Sequence, residues 1–505
     1  MIGEVNGKMY AVYVTKGTLN LQSGSIYAQN TADVASQTSA RAYGVYVSDG
    51  YVFNMTGGKI EAYSDQYGYG AQIGAGAATP AVGNFSGGTI LVETKTKSRG
   101  ILGYGQVNLS DNIDIQSTTI NTTEAVGVYL DGAYNAKLTM TSGAISTTAQ
   151  TTKSYGVWMN AASNSVDISG GSITAKISSS GTTSAYGIYN NAAGTVNISG
   201  VANILAQAQT TTACGIYNAS TGAITFSGGT IKAQPKTTTA YGIWGKGAGT
   251  ILVNGGTINA TAGTNTAYGV YAEAGTVTVE DGAIIEATPT TAYALYQKGA
   301  TFNVNGGKMN GSTAPIYGTV GKVNLKGGFY KINTDLSKFL TEEYNAYALN
   351  YGAEYDAGYR YVVATERPLG QATCKVVETV NKKTQETPFY DLETALLYAN
   401  NTTNTLTIVM LCDYILPAGN YTLPSNATLL VPWKDGQTAA KGDKVDTYTS
   451  SSDVPALKKY RTLTFAEGVN MTVNGIFEVG GRQHIYANAG CGSPCDGYAH
   501  LVMKE

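Results

Sequence analysis

Tyr186-Gly187-Ile188-Tyr189 is the phrase on which the fold turns, because the chain keeps returning to it. It recurs as Tyr43-Gly44-Val45-Tyr46, Val126-Gly127-Val128-Tyr129, Tyr155-Gly156-Val157-Trp158, Cys214-Gly215-Ile216-Tyr217, Tyr241-Gly242-Ile243-Trp244, Tyr268-Gly269-Val270-Tyr271 and Tyr293-Ala294-Leu295-Tyr296. Weaker copies stand at Tyr10-Ala11-Val12-Tyr13, Tyr69-Gly70, Arg99-Gly100-Ile101-Leu102 and Tyr317-Gly318. The step between copies averages about 28 residues, a period in the range of solenoids and repeat arrays.

Each step carries two further phrases. One is an alternating stretch like Gly194-Thr195-Val196-Asn197-Ile198-Ser199-Gly200, the other a short apolar stretch after glycine like Gly171-Ser172-Ile173-Thr174-Ala175. Val and Ile at every second position, bounded by Gly, Asn, Ser and Thr, are strand signals. Three short strands in about 28 residues fit one coil of a parallel β-helix, and the step is too short for a propeller blade of four strands. One coil cannot hide its own apolar face, whereas coils stacked ~4.8 Å apart bury one continuous core. The expectation is an all-β, right-handed parallel β-helix of roughly 12 coils, about 60 Å long.

Alternation assigns faces to the phrase. Its third position is aliphatic (Val45, Ile101, Val128, Val157, Ile188, Ile216, Ile243, Val270, Leu295) and is expected to point inward. The first position, Tyr155, Tyr186, Cys214, Tyr241 and Tyr268, shares that face and is expected inside or at a corner. The glycine and the fourth position are then expected outside. The fourth position would form a ladder of Tyr46, Tyr129, Trp158, Tyr189, Tyr217, Trp244, Tyr271 and Tyr296, with Leu102 interrupting it. Such a ladder has two readings, cross-strand stabilisation over a floor of glycines and an aromatic platform for sugar rings or a neighbouring subunit. A bulge in the strand would instead turn the rings inward.

Composition narrows the function classes. The chain has 505 residues, 63 Gly, 37 Tyr against 9 Phe, 13% charged residues and a net charge of −2. Coiled coils and helical bundles are excluded, since ordinary chains carry roughly 25% charge and helices need longer 3.6-period patterns. No Lys/Arg block suggests a nucleic-acid partner. No apolar run is long enough for a membrane span. Met1-Ile2-Gly3-Glu4 lacks the basic and apolar stretches of a signal peptide.

The repeats fade near residue 330, so we read 1–330 as the β-helix domain. A connector over 331–370 follows, with a helical turn at 335–340 capped by Asp335 and a hairpin around Asp356-Ala357-Gly358. A second unit spans 371–505. It has a strand at 374–380, a polar turn at 381–387, a cap helix near 391–400 with Asp391 as N-cap, and short strands after it. The segments 325–340, 391–432 and 463–481 resemble large secreted or surface-anchored bacterial parallel β-helix proteins, which have a pectate-lyase-like fold and are often classed as adhesins. The resemblance implies export and an extracellular or cell-surface setting. It marks a fold and not a reaction.

β-helices also host polysaccharide lyases and hydrolases, which need carboxylates close together. Between Ile168 and Ala272 there is no Asp, Glu or His. The sparse acids elsewhere, such as Asp111/Asp114 and Glu280/Asp281, read as turn and surface residues. The two His residues, His484 and His500, lie at the far end with Cys491 and Cys495. Those ligand types suit zinc, but their spacing matches no standard finger. A Cys491–Cys495 disulfide, a Cys374–Cys412 pair and free thiols are the other readings. Cys214 reads as a buried apolar residue. No calcium nonapeptide, phosphate loop or dinucleotide fingerprint is present. No catalytic residue, cofactor or metal is assigned.

Both termini fall within repeat-like sequence. This leaves two readings, a piece of a longer chain and ends that stack head-to-tail on other copies. The expected function is a non-enzymatic extracellular bacterial surface protein, used in adhesion or as a structural spacer or filament subunit. The alternatives are a polysaccharide lyase or hydrolase with its site after residue 330, and a glycan-binding module. Expected partners are further copies of the chain, glycans or a host surface.

Overall fold

The computed structural model describes residues 7–31, 40–121, 123–132, 134–179, 184–210, 212–331, 336–339, 354–355, 359–361, 372–380, 383–389, 391–431, 463–479 and 500–503. The chain forms two compact units, Met1–Phe339 and Leu340–Glu505.

The first unit is a parallel β-helix built as the repeat predicts. The copies of the Tyr-Gly-Val-Tyr phrase lie on strands that make one twelve-stranded parallel sheet, wall one. The exception is Tyr317-Gly318, where the strand ends at Tyr317, and its pairing with Tyr296 makes Tyr317 a fourth position and not a first. Successive copies are direct neighbours in register: Ile188 faces Ile216 and Tyr189 faces Tyr217, then Ile216 faces Ile243 and Tyr217 faces Trp244. The two other phrases of each step build walls two and three. These are joined into one sheet where single strands, such as Val52–Ser64 and Thr250–Thr261, run through both. Such strands turn the corner at a glycine pair. The register shifts at Met55/Thr56 and Thr56/Lys59, and Gly58 sits at φ +79°, a left-handed conformation that glycine alone enters without steric cost.

The regular solenoid makes about nine turns, slightly fewer than the roughly twelve expected. The last rung is the least regular, with strands of only three residues, Val323–Leu325 and Phe329–Lys331.

The core is assembled from columns, one residue per rung. The third-position column from Val45 to Leu295 is fully buried, as alternation requires. Wall three supplies an isoleucine column (Ile90, Ile145, Ile204, Ile258) that is equally buried. At one corner an alanine column packs Ala125, Ala185, Ala213, Ala240 and Ala267 against Ala149, Ala175, Ala206, Ala233 and Ala260. Where serine replaces alanine the hydroxyl finds a partner across the corner: Ser117 with Ser98 at 2.8 Å, and Ser154 with Thr147 at 2.7 Å. This meets the requirement that buried hydroxyls be paired.

Two assignments made by alternation are corrected. The first position of the phrase lies outside, on the same face as the fourth. Tyr155 and Trp158, three residues apart, pack with ring centroids 4.7 Å apart, as do Tyr241 and Trp244 at 4.5 Å. Residues three apart on a regular pleat face opposite ways. The glycine, expected outside, faces in. A Cβ on Gly187 would collide with Ile204 Cγ2 of the opposite wall and lie 2.6 Å from the Gly215 carbonyl oxygen. The same isoleucine-and-carbonyl clash recurs at Gly100, Gly127, Gly156, Gly215 and Gly242. The pleat therefore slips by one residue at each glycine. Because every rung slips together, the register between rungs survives.

The second unit is a shorter parallel β-helix with a cap. Cys374–Val380 and Lys383–Phe389 form an antiparallel hairpin, so most of the stretch expected as a polar turn is a strand. The hairpin covers the edge of Leu406–Met410. Parallel stacks follow: Leu406–Met410 on Ala427–Val431 on Ile476–Val479, Tyr414–Leu416 on Leu463–Phe465, and Gly419–Leu423 on Val469–Val473 on His500–Met503. The predicted helix is α1, Leu392–Asn400. Asp391 caps it, accepting from the Thr394 amide at 2.7 Å, and Leu392, Ala395, Leu396 and Ala399 are its buried face. A buried carboxylate, Glu378, is satisfied by the Tyr398 hydroxyl and by Asn404 Nδ2 at 3.0 Å. The Glu354–Tyr355 and Tyr359–Tyr361 pair is antiparallel, as the hairpin reading expects. Within the stretch expected as a helical turn, Ser337–Phe339 is a 3₁₀ turn. Asp335 lies outside the described residues.

Candidate functional site

Because first and fourth positions share the outer face, wall one carries two columns of rings instead of one. The fourth-position column runs Tyr129, Trp158, Tyr189, Tyr217, Trp244, Tyr271, Tyr296, Tyr317 without a gap. Consecutive centroids lie 4.9, 5.8, 5.0, 4.9, 5.9, 5.2 and 4.5 Å apart. The first-position column holds Tyr10, Tyr43 and Tyr69 and later Tyr155, Tyr186, Tyr241, Tyr268 and Tyr293. Tyr43 and Tyr69 stack at 4.5 Å with planes 5° apart.

The rings are largely spent on one another. Tyr155 is 2% exposed, Tyr43 3% and Tyr129 5%, although all three stand on the outer wall. Tyr217 and Tyr271 are also buried, whereas Tyr46, Trp158, Tyr189, Trp244 and Tyr296 are half-buried. Exposure rises only where the stack has no next rung, at Tyr13 and Tyr317, 45% and 48%. In the stacked pairs one ring face lies against the neighbour's, and little of the most buried rings is left to water. Desolvation pushes the phenols up, to about 12 for Tyr46, Tyr69, Tyr186 and Tyr268, and higher still at Tyr155 and Tyr241.

Four positions lack a ring in the first column, Arg99, Val126, Cys214 and Ala314. Cys214 is a buried free thiol, as its apolar reading expects, but it lies beneath the outer rings and not in the core. Burial raises its pKa, which suits an unreactive packing residue. At Arg99 the guanidinium takes the place of a ring, 3.8 Å from the Tyr129 centroid and 5.8 Å from Tyr69. A planar cation stacks on both faces and bridges the two halves of the band. Glu124 balances it, with Oε1 3.5 Å from both Arg99 Nη2 and Lys97 Nζ. The neighbouring tyrosine Tyr104 packs into the same cluster. None of these roles is visible in the phrase itself. The available signal was the near-constant glycine, which marks a place where a side chain does not fit.

Polar ladders flank the band. On wall two, Asn54 Nδ2 donates to Asn20 Oδ1 at 2.8 Å, Asn84 to Asn54 at 2.9 Å and Asn108 to Asn84 at 2.8 Å. Of the sparse acids, Asp111 sits in a turn with φ +50°, Asp114 opens a strand and accepts from Gln116 at 2.6 Å, and Glu280 accepts from Asn305 at 2.8 Å. Among the described residues no group of three His, Cys, Asp or Glu could hold a metal ion, and no helix is long and apolar enough to cross a membrane. Cys374 and Cys412 are free thiols, the first buried and the second exposed, so of the two readings for them the pair is not formed. Cys491, Cys495 and His484 lie outside the described residues, as does the His500 side chain.

Comparison with known protein families, with curated proteins and with solved structures finds no match.

Proposed function

We propose that this chain is a non-enzymatic extracellular scaffold, an adhesin-like or spacer protein of the bacterial surface that works through the long outer walls of its solenoid. The observation that carries this reading is the aromatic band. One surface motif is repeated rung after rung, and most of its ring area is used to fasten each rung to the next. Edge-to-face and stacked ring pairs add ~0.5–1.5 kcal/mol each beyond area burial, so the band stiffens the outside of a rod whose inside is already close-packed. A rigid rod with a repeating surface suits contact with an extended ligand or a neighbouring filament better than capture of a small molecule in a cleft.

Two measurements test the reading together. Incubation with neutral and acidic polysaccharides is expected to give no new reducing ends and no unsaturated products, while pull-down on immobilised glycans retains the protein. Turnover of any of these polymers would defeat it.

A further inference from the structure

We infer that the outer edge of wall one carries a docking stripe for an acidic polysaccharide lying along the solenoid axis, formed by the column Lys8, Arg41, Tyr67, Lys97, Glu124 and Lys153 with Arg99 beside it. The inference rests on the surface-binding reading above and names its ligand class.

The register makes these residues a single column. Lys8 is paired with Arg41, Arg41 with Tyr67, Tyr67 with Lys97, Lys97 with Glu124 and Glu124 with Lys153. The residue after Arg41, Lys97, Glu124 and Lys153 is in each case a small buried one, Ala42, Ser98, Ala125 and Ser154, so these members of the column stand on the outer face. Four of its six members are cations in a chain of net charge −2. The one acid, Glu124, is already held by Lys97 and Arg99. Among the described residues no carboxylate pairs with Arg41 or Lys153.

The cations are also held in place. The Arg41 guanidinium lies 5.2 Å and Lys97 Nζ 5.7 Å from the Tyr67 ring centroid, one on the rung before it and one on the rung after. Side chains positioned in this way lose less entropy on binding than free ones. At ~4.8 Å per rung, Arg41, Lys97 and Lys153 recur about every 10 Å. A glycan with one carboxylate on every second sugar spreads its charge at a comparable pitch. A nucleic-acid strand does not, since it carries a phosphate on every nucleotide and so a denser row of charge than one carboxylate per disaccharide. A neutral sugar would seek ring faces, and much of their area is taken up by neighbouring rings.

Calorimetry of the full chain against hyaluronan fragments, neutral dextran and single-stranded oligo(dT), at low and high salt, tests the stripe. Hyaluronan binding that weakens with salt is expected, dextran and oligo(dT) binding more weakly. Arg41→Gln/Lys153→Gln should lose about tenfold in affinity, while Arg41→Lys/Lys153→Arg keeps most of it. Lys8→Gln/Lys153→Gln, which leaves the Tyr67 stack intact, serves if the first variant folds poorly, and thermal melts establish that each is folded. Undiminished hyaluronan binding by a folded charge-removed variant overturns the stripe and leaves the surface-binding reading standing. Tighter binding of oligo(dT), or equal binding of dextran, also overturns it. If neither glycan binds the folded wild-type chain, the stripe falls and the broader reading loses its glycan arm.

Discussion

At the scale of the residue, the glycine of the repeated phrase is the most constrained position. Its side-chain space is taken by an isoleucine that the chain delivers from the opposite wall of the same coil. Gly187→Ala is therefore expected to destabilise the solenoid by ~1–3 kcal/mol through overpacking. A drop in the denaturant midpoint with unchanged slope would show it. The tyrosines make a second prediction at this scale. Burial raises the phenols of Tyr69 and Tyr186 from an ordinary 10.0 to about 12, so the folded state holds those protons more tightly than the unfolded chain. That stabilisation is complete below about pH 10 and is lost as pH rises from 10 toward 12. The melting temperature should fall steeply across this window, with phenolate absorbance rising at the unfolding transition and not before it.

At the scale of the element, short strands are defined by their neighbours and the single helix by its cap. The strand repeats were legible because Val and Ile alternate between turn residues, and α1 was legible because Asp391 precedes an apolar 3.6-period stretch. The hairpin strand Lys383–Phe389 was not legible. Its residues Thr384 and Glu386 are exposed, and polar sequence becomes a strand there through pairing with Cys374–Val380. Asp391→Ala removes the cap and is expected to cost about 1 kcal/mol, speeding hydrogen exchange in α1 about fivefold. Asp391→Asn should exchange nearly as slowly as the native helix, because an asparagine oxygen caps equally well.

At the scale of the molecule, the first unit is a stack in which each rung touches only the next, so its stability is close to a sum of rung and interface contributions. Ala213 and Ala240 occupy equivalent places on neighbouring rungs. Deleting residues 213–239 removes one rung and joins matching positions. The shortened chain is expected to fold with the same β-sheet circular dichroism per residue and a melting temperature lower by only a few degrees. A deletion half as long breaks the register of all three walls and should leave the protein insoluble or unfolded.

The period, the three strands per coil, the buried aliphatic column and the capped second unit are properties of the sequence by itself, since each depends on spacing along the chain. Which way the first-position rings and the glycines face, how far the rings cover one another, and which charges align into a column were decided by the tertiary structure. Alternation assumes an uninterrupted pleat. Here the pleat is interrupted by an isoleucine from the far wall and by a ring from the next rung, and those contacts exist only once the coil has closed and the coils have stacked.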